Sequence, residues 1–165
     1  MSLESFLNQK NCAIVIVDMQ EKLTYDISNL DSLVDRQLEL LSAYKHVPVI
    51  CLELKPISYG NTIKRISSEI YVGNRGVVVE KELGDGFTSD NFNLELNIKG
   101  VKNILLMGCN ASLCVWATAQ SAVERGYSIA TSTDFISDSN SLRRSKYNFY
   151  DKSLNWYRKY CQVFV

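Results

Sequence analysis

Three side chains suited to nucleophilic catalysis each follow a short apolar run of the sequence. Asp18 ends the first run, Lys81 follows a later one, and Cys114 lies shortly after Gly108. A cysteine thiolate is a strong nucleophile, a carboxylate can accept the thiol proton, and an ammonium group keeps a carboxylate ionised. The three side chains therefore predict a catalytic site with Cys114 as nucleophile, Asp18 as general base and Lys81 as the residue that orients it.

The position of Cys114 adds a physical reason for reactivity. It falls in the first turn of an Ala-rich helical pattern that ends at Gly126. At a helix start the dipole and the unpaired backbone N–H groups favour an anion, which predicts a lowered pKa for the thiol. The same N–H groups are placed to receive an oxyanion.

Plainer interpretations of these residues stay open at this point. A free cysteine is most often a small buried apolar residue, and Cys12, Cys51 and Cys161 are interpreted in this way. Asp18 would equally serve as a strand-end cap and Lys81 as a solvated edge residue.

Apolar runs alternate with amphipathic stretches along the whole chain. Continuous apolar strands alternating with helices indicate a parallel sheet covered on both faces, so we expect one domain over residues 1–165. The predicted fold class is α/β, a three-layer α/β/α sandwich with a six-stranded, mostly parallel sheet. The predicted strands are residues 12–17, 47–52, 77–80, 103–107, 128–132 and 162–165, and the predicted helices are 30–44, 62–70, 91–98, 111–125 and 141–157.

Composition excludes several classes of protein. The 18 Lys and Arg residues balance 18 Asp and Glu residues, so no nucleic-acid footprint is expected. No run is long enough to cross a membrane, and no secretory signal is visible. Five cysteines without such a signal predict reduced thiols and a cytoplasmic protein. With His46 as the only histidine, a His-rich zinc site is impossible.

Several segments resemble the isochorismatase-like cysteine hydrolases, and the resemblance covers nearly the whole chain. The loop over residues 54–62 is similar to that of the YcaC-related short-loop branch, and Asp134 fits the acidic residue that the family has after strand five. The other matching pieces are residues 13–20, 80–81, 86–87 and 108–119.

The resemblance implies specific roles at the site. It implies a triad of Cys114, Asp18 and Lys81, and a cis peptide between Cys109 and Asn110 in the turn before the nucleophile. It also implies an oxyanion hole formed by the backbone N–H groups of Asn110 and Cys114. Gln20 would line the floor of the site, and Cys109 would belong to the substrate-binding turn.

Departures from the family pattern narrow the expected chemistry. Nicotinamidases of the family carry an Asp/His metal cluster after strand two, where this chain has Glu53 and Lys55, so we expect neither metal nor cofactor. The presence of Cys114 favours amidase-type hydrolysis of a small amide or related C–N bond. The alternatives are a catalytically silent binding or assembly protein, a vinyl-ether hydrolase of the isochorismate type, and a thiol sensor that uses Cys109 and Cys114.

The expected partners follow from the same resemblance. A small-molecule substrate is expected, with no nucleic acid and no membrane. The family resemblance also implies a homo-oligomer, for which Trp156 and Tyr160 are the candidate exposed aromatics.

Overall fold

The computed structural model describes residues 1–165, and its centre is one sheet of seven strands. Along the sheet the order is β3-β2-β1-β4-β5-β7, with β6 paired to β4, and every strand pair is parallel. The strands are β1 (Cys12–Val17), β2 (Val49–Leu54), β3 (Gly76–Lys81), β4 (Asn103–Cys109), β5 (Ser128–Ser132), β6 (Ile136–Ser137) and β7 (Gln162–Phe164).

Nine helices accompany the strands, and the longer ones cover both faces of the sheet. Residues of α1, α3 and α5 pack on one face, and residues of α6, α7 and α9 pack on the other. The helices are α1 (Leu3–Leu7), α2 (Glu21–Thr24), α3 (Leu30–Ala43), α4 (Pro56–Tyr59), α5 (Lys64–Ile70), α6 (Asp90–Ile98), α7 (Cys114–Glu124), α8 (Asn140–Arg143) and α9 (Phe149–Tyr160).

Strand β1 shows why its sequence is apolar at every position. Cys12, Ile14 and Ile16 belong to the core between the sheet and the first helical layer. The alternate residues Ala13, Val15 and Val17 belong to the core on the opposite face. Because successive side chains of a strand point to opposite faces, a strand covered on both sides has no solvent-facing position. The predicted three-layer α/β/α fold is therefore confirmed.

The sequence prediction differs from the structure in several elements, and it lacked the short helices α1, α2 and α4. The pattern over residues 141–157 predicted one helix, whereas the chain forms α8 and α9 with Asn148 between them in the left-handed conformation, at φ 49°. A non-glycine residue rarely adopts positive φ, but asparagine tolerates it, so Asn148 interrupts the amphipathic pattern. The two-residue strand β6 was also missed, because two residues carry no detectable alternation.

The order in which successive strands are added to the sheet reverses between β1 and β4. From β1 the sheet continues to β2 and β3 on one side, and from β4 to β5 and β7 on the other. In open parallel sheets the crevice for ligands lies at this point, beyond the carboxyl ends of the strands. Asp18 follows β1 directly, and α7 begins just after β4, so both lie at the crevice.

Gly108 permits the close approach of these two central strands. Its φ is +130°, and a Cβ atom there would lie 2.1 Å from the backbone oxygen of Val17. That distance is far inside van der Waals contact, and no side chain at Gly108 can rotate the Cβ away from a neighbouring backbone. Glycine at this position therefore keeps the end of β4, and the turn that follows it, beside Asp18.

Candidate active site

The structure brings the three predicted catalytic side chains together at the carboxyl end of the sheet. The Nζ atom of Lys81 lies 2.9 Å from Oδ2 of Asp18, and both side chains are fully buried. Lys81 Nζ also donates hydrogen bonds to the backbone oxygens of Leu83, at 3.1 Å, and Gly84, at 2.9 Å. An ammonium group has three donors, and all three are used here. Lys81 therefore fixes both the Asp18 carboxylate and the loop after β3.

Cys114 is the first residue of α7 and is partly exposed. Asp18 and Lys81 both act electrostatically on its thiol, which places the three groups in one cluster. The other carboxylate oxygen of Asp18, Oδ1, is buried and accepts no well-directed hydrogen bond. A Cβ atom at Gly84 would lie 3.5 Å from Cys114 Sγ. The thiol thus adjoins the loop that Lys81 holds.

The pKa of the Cys114 thiol is raised, whereas the sequence predicted that it would be lowered. Burial, followed by the negative charge of Asp18, raises this pKa to about 12, against the opposing effect of the Lys81 charge. Burial also raises the pKa of Asp18, against the opposing effect of Lys81. The prediction of a lowered thiol pKa was wrong because desolvation and a neighbouring carboxylate outweigh the helix start. The raised pKa favours the thiol form of Cys114 at neutral pH.

The charge of Asp18 has a measurable effect of known direction on the pKa of Cys114. In Asp18→Asn the charge that raises the pKa of Cys114 is gone while Lys81 remains, so the thiol pKa falls and alkylation at neutral pH becomes faster. Iodoacetamide labelling followed by mass spectrometry at pH 6 to 9 measures this, with Cys114→Ala identifying the labelled residue. Slower labelling of Asp18→Asn than of the wild type would contradict the electrostatic coupling.

The turn between β4 and α7 is held in place by hydrogen bonds from β6, from the residue after it and from α9. The N–H of Ala111 donates to the oxygen of Ser137 at 3.0 Å. Asp138 accepts from both the N–H and the hydroxyl of Ser112, at 2.8 and 2.5 Å. From α9, the Tyr157 hydroxyl donates to the oxygen of Ala111 at 2.7 Å. Every one of these partners is buried, so the turn is held rigidly in place.

Two backbone N–H groups remain available at this turn. The N–H groups of Asn110 and Cys114 donate to no backbone carbonyl, while the Asn110 side chain accepts a hydrogen bond from the N–H of Ser139 at 2.7 Å. The peptide between Cys109 and Asn110 is cis, as the resemblance implied. A rigid turn with two unpaired donors next to a thiol has the composition of an oxyanion site.

The acidic residue beneath the turn is Asp138 and was not found from the sequence. Asp134, which the resemblance singled out, is exposed, and its N–H donates to the Ser132 hydroxyl. Asp138 is fully buried, and the burial raises its pKa, opposed by the hydrogen bonds from Ser112. The only sequence signal for Asp138 is that it follows Asp134 by four residues. The strand β6 lies between the two acids, and its two residues are too few to be recognised from the sequence.

Gln20 does not line an open floor. Its Nε2 donates to the oxygens of Leu54 and Gly60, at 3.0 and 2.6 Å, and its Oε1 accepts from the N–H of Leu54 at 2.7 Å. The side chain is fully buried. With its polar atoms committed to backbone, Gln20 fixes the chain that follows β2 against the residues after Asp18.

Cys109 lies next to the cluster of Asp18, Lys81 and Cys114. It is fully buried, and its Sγ donates to the backbone oxygen of Asp18 at 3.1 Å. Burial raises the pKa of this thiol well above its ordinary value. Cys109 and Cys114 are both free, as are the other three cysteines. The geometry therefore gives Cys109 a packing position next to Asp18.

No group of three or more His, Cys, Asp or Glu side chains is arranged to bind a metal ion. Glu53, which stands in the stretch where the expected metal cluster is missing, accepts hydrogen bonds from the N–H and the hydroxyl of Thr62, both at 2.7 Å. None of the helices has the length and apolar content required to span a bilayer.

Comparisons with known proteins identify the family and the fold. The isochorismatase family protein 1B of Dictyostelium discoideum is 27% identical over 135 residues, which cover 80% of this chain and 66% of that protein, so the chain spans about two thirds of this relative. The cysteine hydrolase of Pseudomonas syringae pv. phaseolicola superimposes with a TM-score of 0.80 at 18% identity, covering 94% of this chain and 89% of that one.

The nicotinamidase of Staphylococcus aureus superimposes with a TM-score of 0.78 at 15% identity, covering 95% of this chain and all of that one, at 100%. At such identities these two likenesses establish the fold. The sequence itself matches the isochorismatase domain over residues 12–152, which is most of its length. The chain is therefore a member of the isochorismatase family.

Proposed function

We propose that this family member hydrolyses a small amide or a related C–N bond through a thioester on Cys114. The observation that carries the proposal is the buried cluster in which Lys81 pairs with Asp18 beside the thiol. A nucleophile, a base that can take its proton, and a residue that orients the base are the components of covalent catalysis.

The first half-reaction uses the unsatisfied Asp18 carboxylate. Asp18 takes the proton from Cys114 Sγ as the sulfur attacks the carbonyl carbon of the amide. The negative oxygen of the tetrahedral intermediate is bound by the N–H groups of Asn110 and Cys114. When the C–N bond breaks, the protonated Asp18 gives its proton to the leaving amine, and the acyl group remains on sulfur as a thioester.

The second half-reaction regenerates the enzyme. Asp18, again ionised, takes a proton from a water molecule that attacks the thioester carbonyl. When the C–S bond breaks, sulfur leaves as a thiolate and recovers the proton from Asp18. Throughout this cycle Lys81 keeps its three hydrogen bonds, so its role is to hold the base and the loop at Leu83 and Gly84 in place.

Hydroxylamine trapping tests the thioester directly. In a screen of small primary amides and ureides, a substrate that releases ammonia is expected to yield a hydroxamate when hydroxylamine is present, because hydroxylamine competes with water for the acyl group. Vinyl-ether hydrolysis forms no acyl-enzyme and yields no hydroxamate. Ammonia release without hydroxamate, or without an acyl adduct on Cys114 in intact-mass spectra, would contradict the thioester route.

We also propose that the protein is a cytoplasmic homo-oligomer that binds no nucleic acid. Five free cysteines and the balanced charge support this proposal. The apolar side chains of Ile57 in α4 and of Leu83 and Leu113 in loops are exposed. Trp156, a candidate from the sequence, is half-buried against Trp116, so only Tyr160 of that pair is exposed. Sedimentation velocity measures the assembly.

A further inference from the structure

The three residues 137–139 bond one by one to the three residues 110–112 of the turn before the nucleophile. The contacts are Ala111 N–H to the oxygen of Ser137, Ser112 to the carboxylate of Asp138, and Ser139 N–H to Oδ1 of Asn110. A segment that pairs with a turn at every position leaves that turn little freedom to move.

Asp138 is the only one of these three residues that holds the turn through its side chain. Both of its carboxylate oxygens are used by one residue, because Oδ1 accepts from the N–H of Ser112 and Oδ2 from its hydroxyl. The carboxylate is fully buried and forms no ion pair, and the charge of Arg143 acts on it from an exposed position of α8. A buried carboxylate is unfavourable without such bonds, so Asp138 and Ser112 depend on each other.

The position of Ser112 connects this pair to the proposed oxyanion site. Ser112 lies midway between Asn110 and Cys114, whose N–H groups donate to no backbone carbonyl. Helix α7 begins after Leu113 without a side-chain cap, whereas a polar side chain at that position commonly takes up the first N–H groups of a helix. The N–H of Cys114 thus stays free for a ligand while Asp138 supports the turn through Ser112.

We propose that Asp138 is a positioning residue of the active site. By holding Ser112, it keeps the N–H groups of Asn110 and Cys114 directed at the oxygen of a carbonyl group that the thiol attacks. Such donors stabilise an oxyanion most when they are fixed before the reaction begins. This inference rests on the part of the proposed function that makes Cys114 the nucleophile and the turn its oxyanion site.

Reversible addition of butyraldehyde to Cys114 isolates this step from turnover. The C–S bond forms as the π bond of the carbonyl group breaks, the thiol proton passes to the oxygen, and that oxygen takes the place of the oxyanion. Iodoacetamide instead loses iodide from a saturated carbon, and no oxyanion forms. Protection of Cys114 from iodoacetamide by butyraldehyde therefore reports on the turn, and the labelling rate without aldehyde reports on the thiol.

In Asp138→Ala, half-protection of Cys114 is expected to need about tenfold more butyraldehyde, because loss of an oxyanion donor outright costs about 10²–10³-fold. Labelling without aldehyde should stay within a factor of about two, since Asp18 and Lys81 still set the reactivity of the thiol. Asp138→Asn keeps an acceptor for the N–H of Ser112 and should restore most of the protection. Asp134→Ala, the matched change at an exposed acid, should leave protection unchanged.

Ser112→Ala keeps the test decisive if Asp138→Ala does not fold. It removes only the hydroxyl bond, so the protecting concentration should rise by about threefold or more. Equal protection of the wild type and both variants would overturn the inference, as would a wild type that butyraldehyde does not protect. A parallel loss of iodoacetamide labelling would show a general structural role for Asp138 and overturn it as well.

The outcomes also distinguish this inference from the proposed hydrolysis. Protection that depends on Asp138, in a protein that forms no hydroxamate from any amide, would support the positioning role and refute amide hydrolysis. Protection that is indifferent to Asp138, in a protein that does form hydroxamates, would refute the positioning role and leave the hydrolysis supported.

Discussion

Replacing Cys114 by alanine is expected to lower turnover of any amide substrate by about 10⁴-fold or more, since the covalent route then has no nucleophile. The fold should be retained, because Cys114 is partly exposed at the first position of α7 and alanine is a favourable helix residue. Steady-state ammonia release, together with thermal unfolding of both proteins, measures the two effects separately.

Cys161→Ala is the matched control for this substitution. Cys161 is likewise partly exposed and free, but it lies at the end of α9, away from Asp18 and Lys81. The control should keep turnover within a factor of about two, the range of surface substitutions that touch no special feature. Full activity of Cys114→Ala would refute the mechanism, whereas loss in both variants would point to a general requirement for thiols.

Replacing Lys81 by methionine should destabilise the protein strongly. The Asp18 carboxylate would then be buried without its cation, and breaking a buried ion pair in this way costs about 3–5 kcal/mol. The loop at Leu83 and Gly84 would lose its anchors as well. Urea unfolding of Lys81→Met measures the loss as a lower transition midpoint.

The double variant Asp18→Asn with Lys81→Met separates two contributions to stability, the pairing of the Asp18 charge and the packing of the Lys81 side chain. Asparagine fits the φ of +52° at position 18, and it removes the charge that methionine leaves unpaired. The double variant should therefore be more stable than Lys81→Met alone, although inactive. If it is equally or less stable, the stabilising effect of Lys81 comes from its packing and its bonds to the loop, and the buried-charge explanation fails.

Much of the fold was predictable because its strands are apolar on both faces. All six predicted strands exist, with ends that shift by at most two residues, and every pairing is parallel. Asp18, Lys81 and Cys114 each come after one of these predicted strands. Because the carboxyl ends of parallel strands share one edge of the sheet, the three residues were expected to lie close together. Proximity was predictable because it depends on topology.

The electrostatics of the site were less predictable because they depend on burial. The helix start predicted a lowered pKa for Cys114, but the sequence gives no measure of desolvation or of the distance to Asp18. The same holds for Asp138, whose role depends on two hydrogen bonds to Ser112 across a strand of two residues. Polar groups that act through a single long-range contact leave no periodic trace along the chain.

The hydrogen bond from Tyr157 to Ala111 connects the turn before Cys114 to the last helix. During synthesis the chain emerges from its amino terminus, so Asp18, Lys81 and Cys114 leave the ribosome well before Tyr157. The turn receives its final support only when α9 has packed on the sheet and β7 has paired with β5. Cys114 is thus made after Asp18 and Lys81, and the turn before it is completed only by a helix that is made later still.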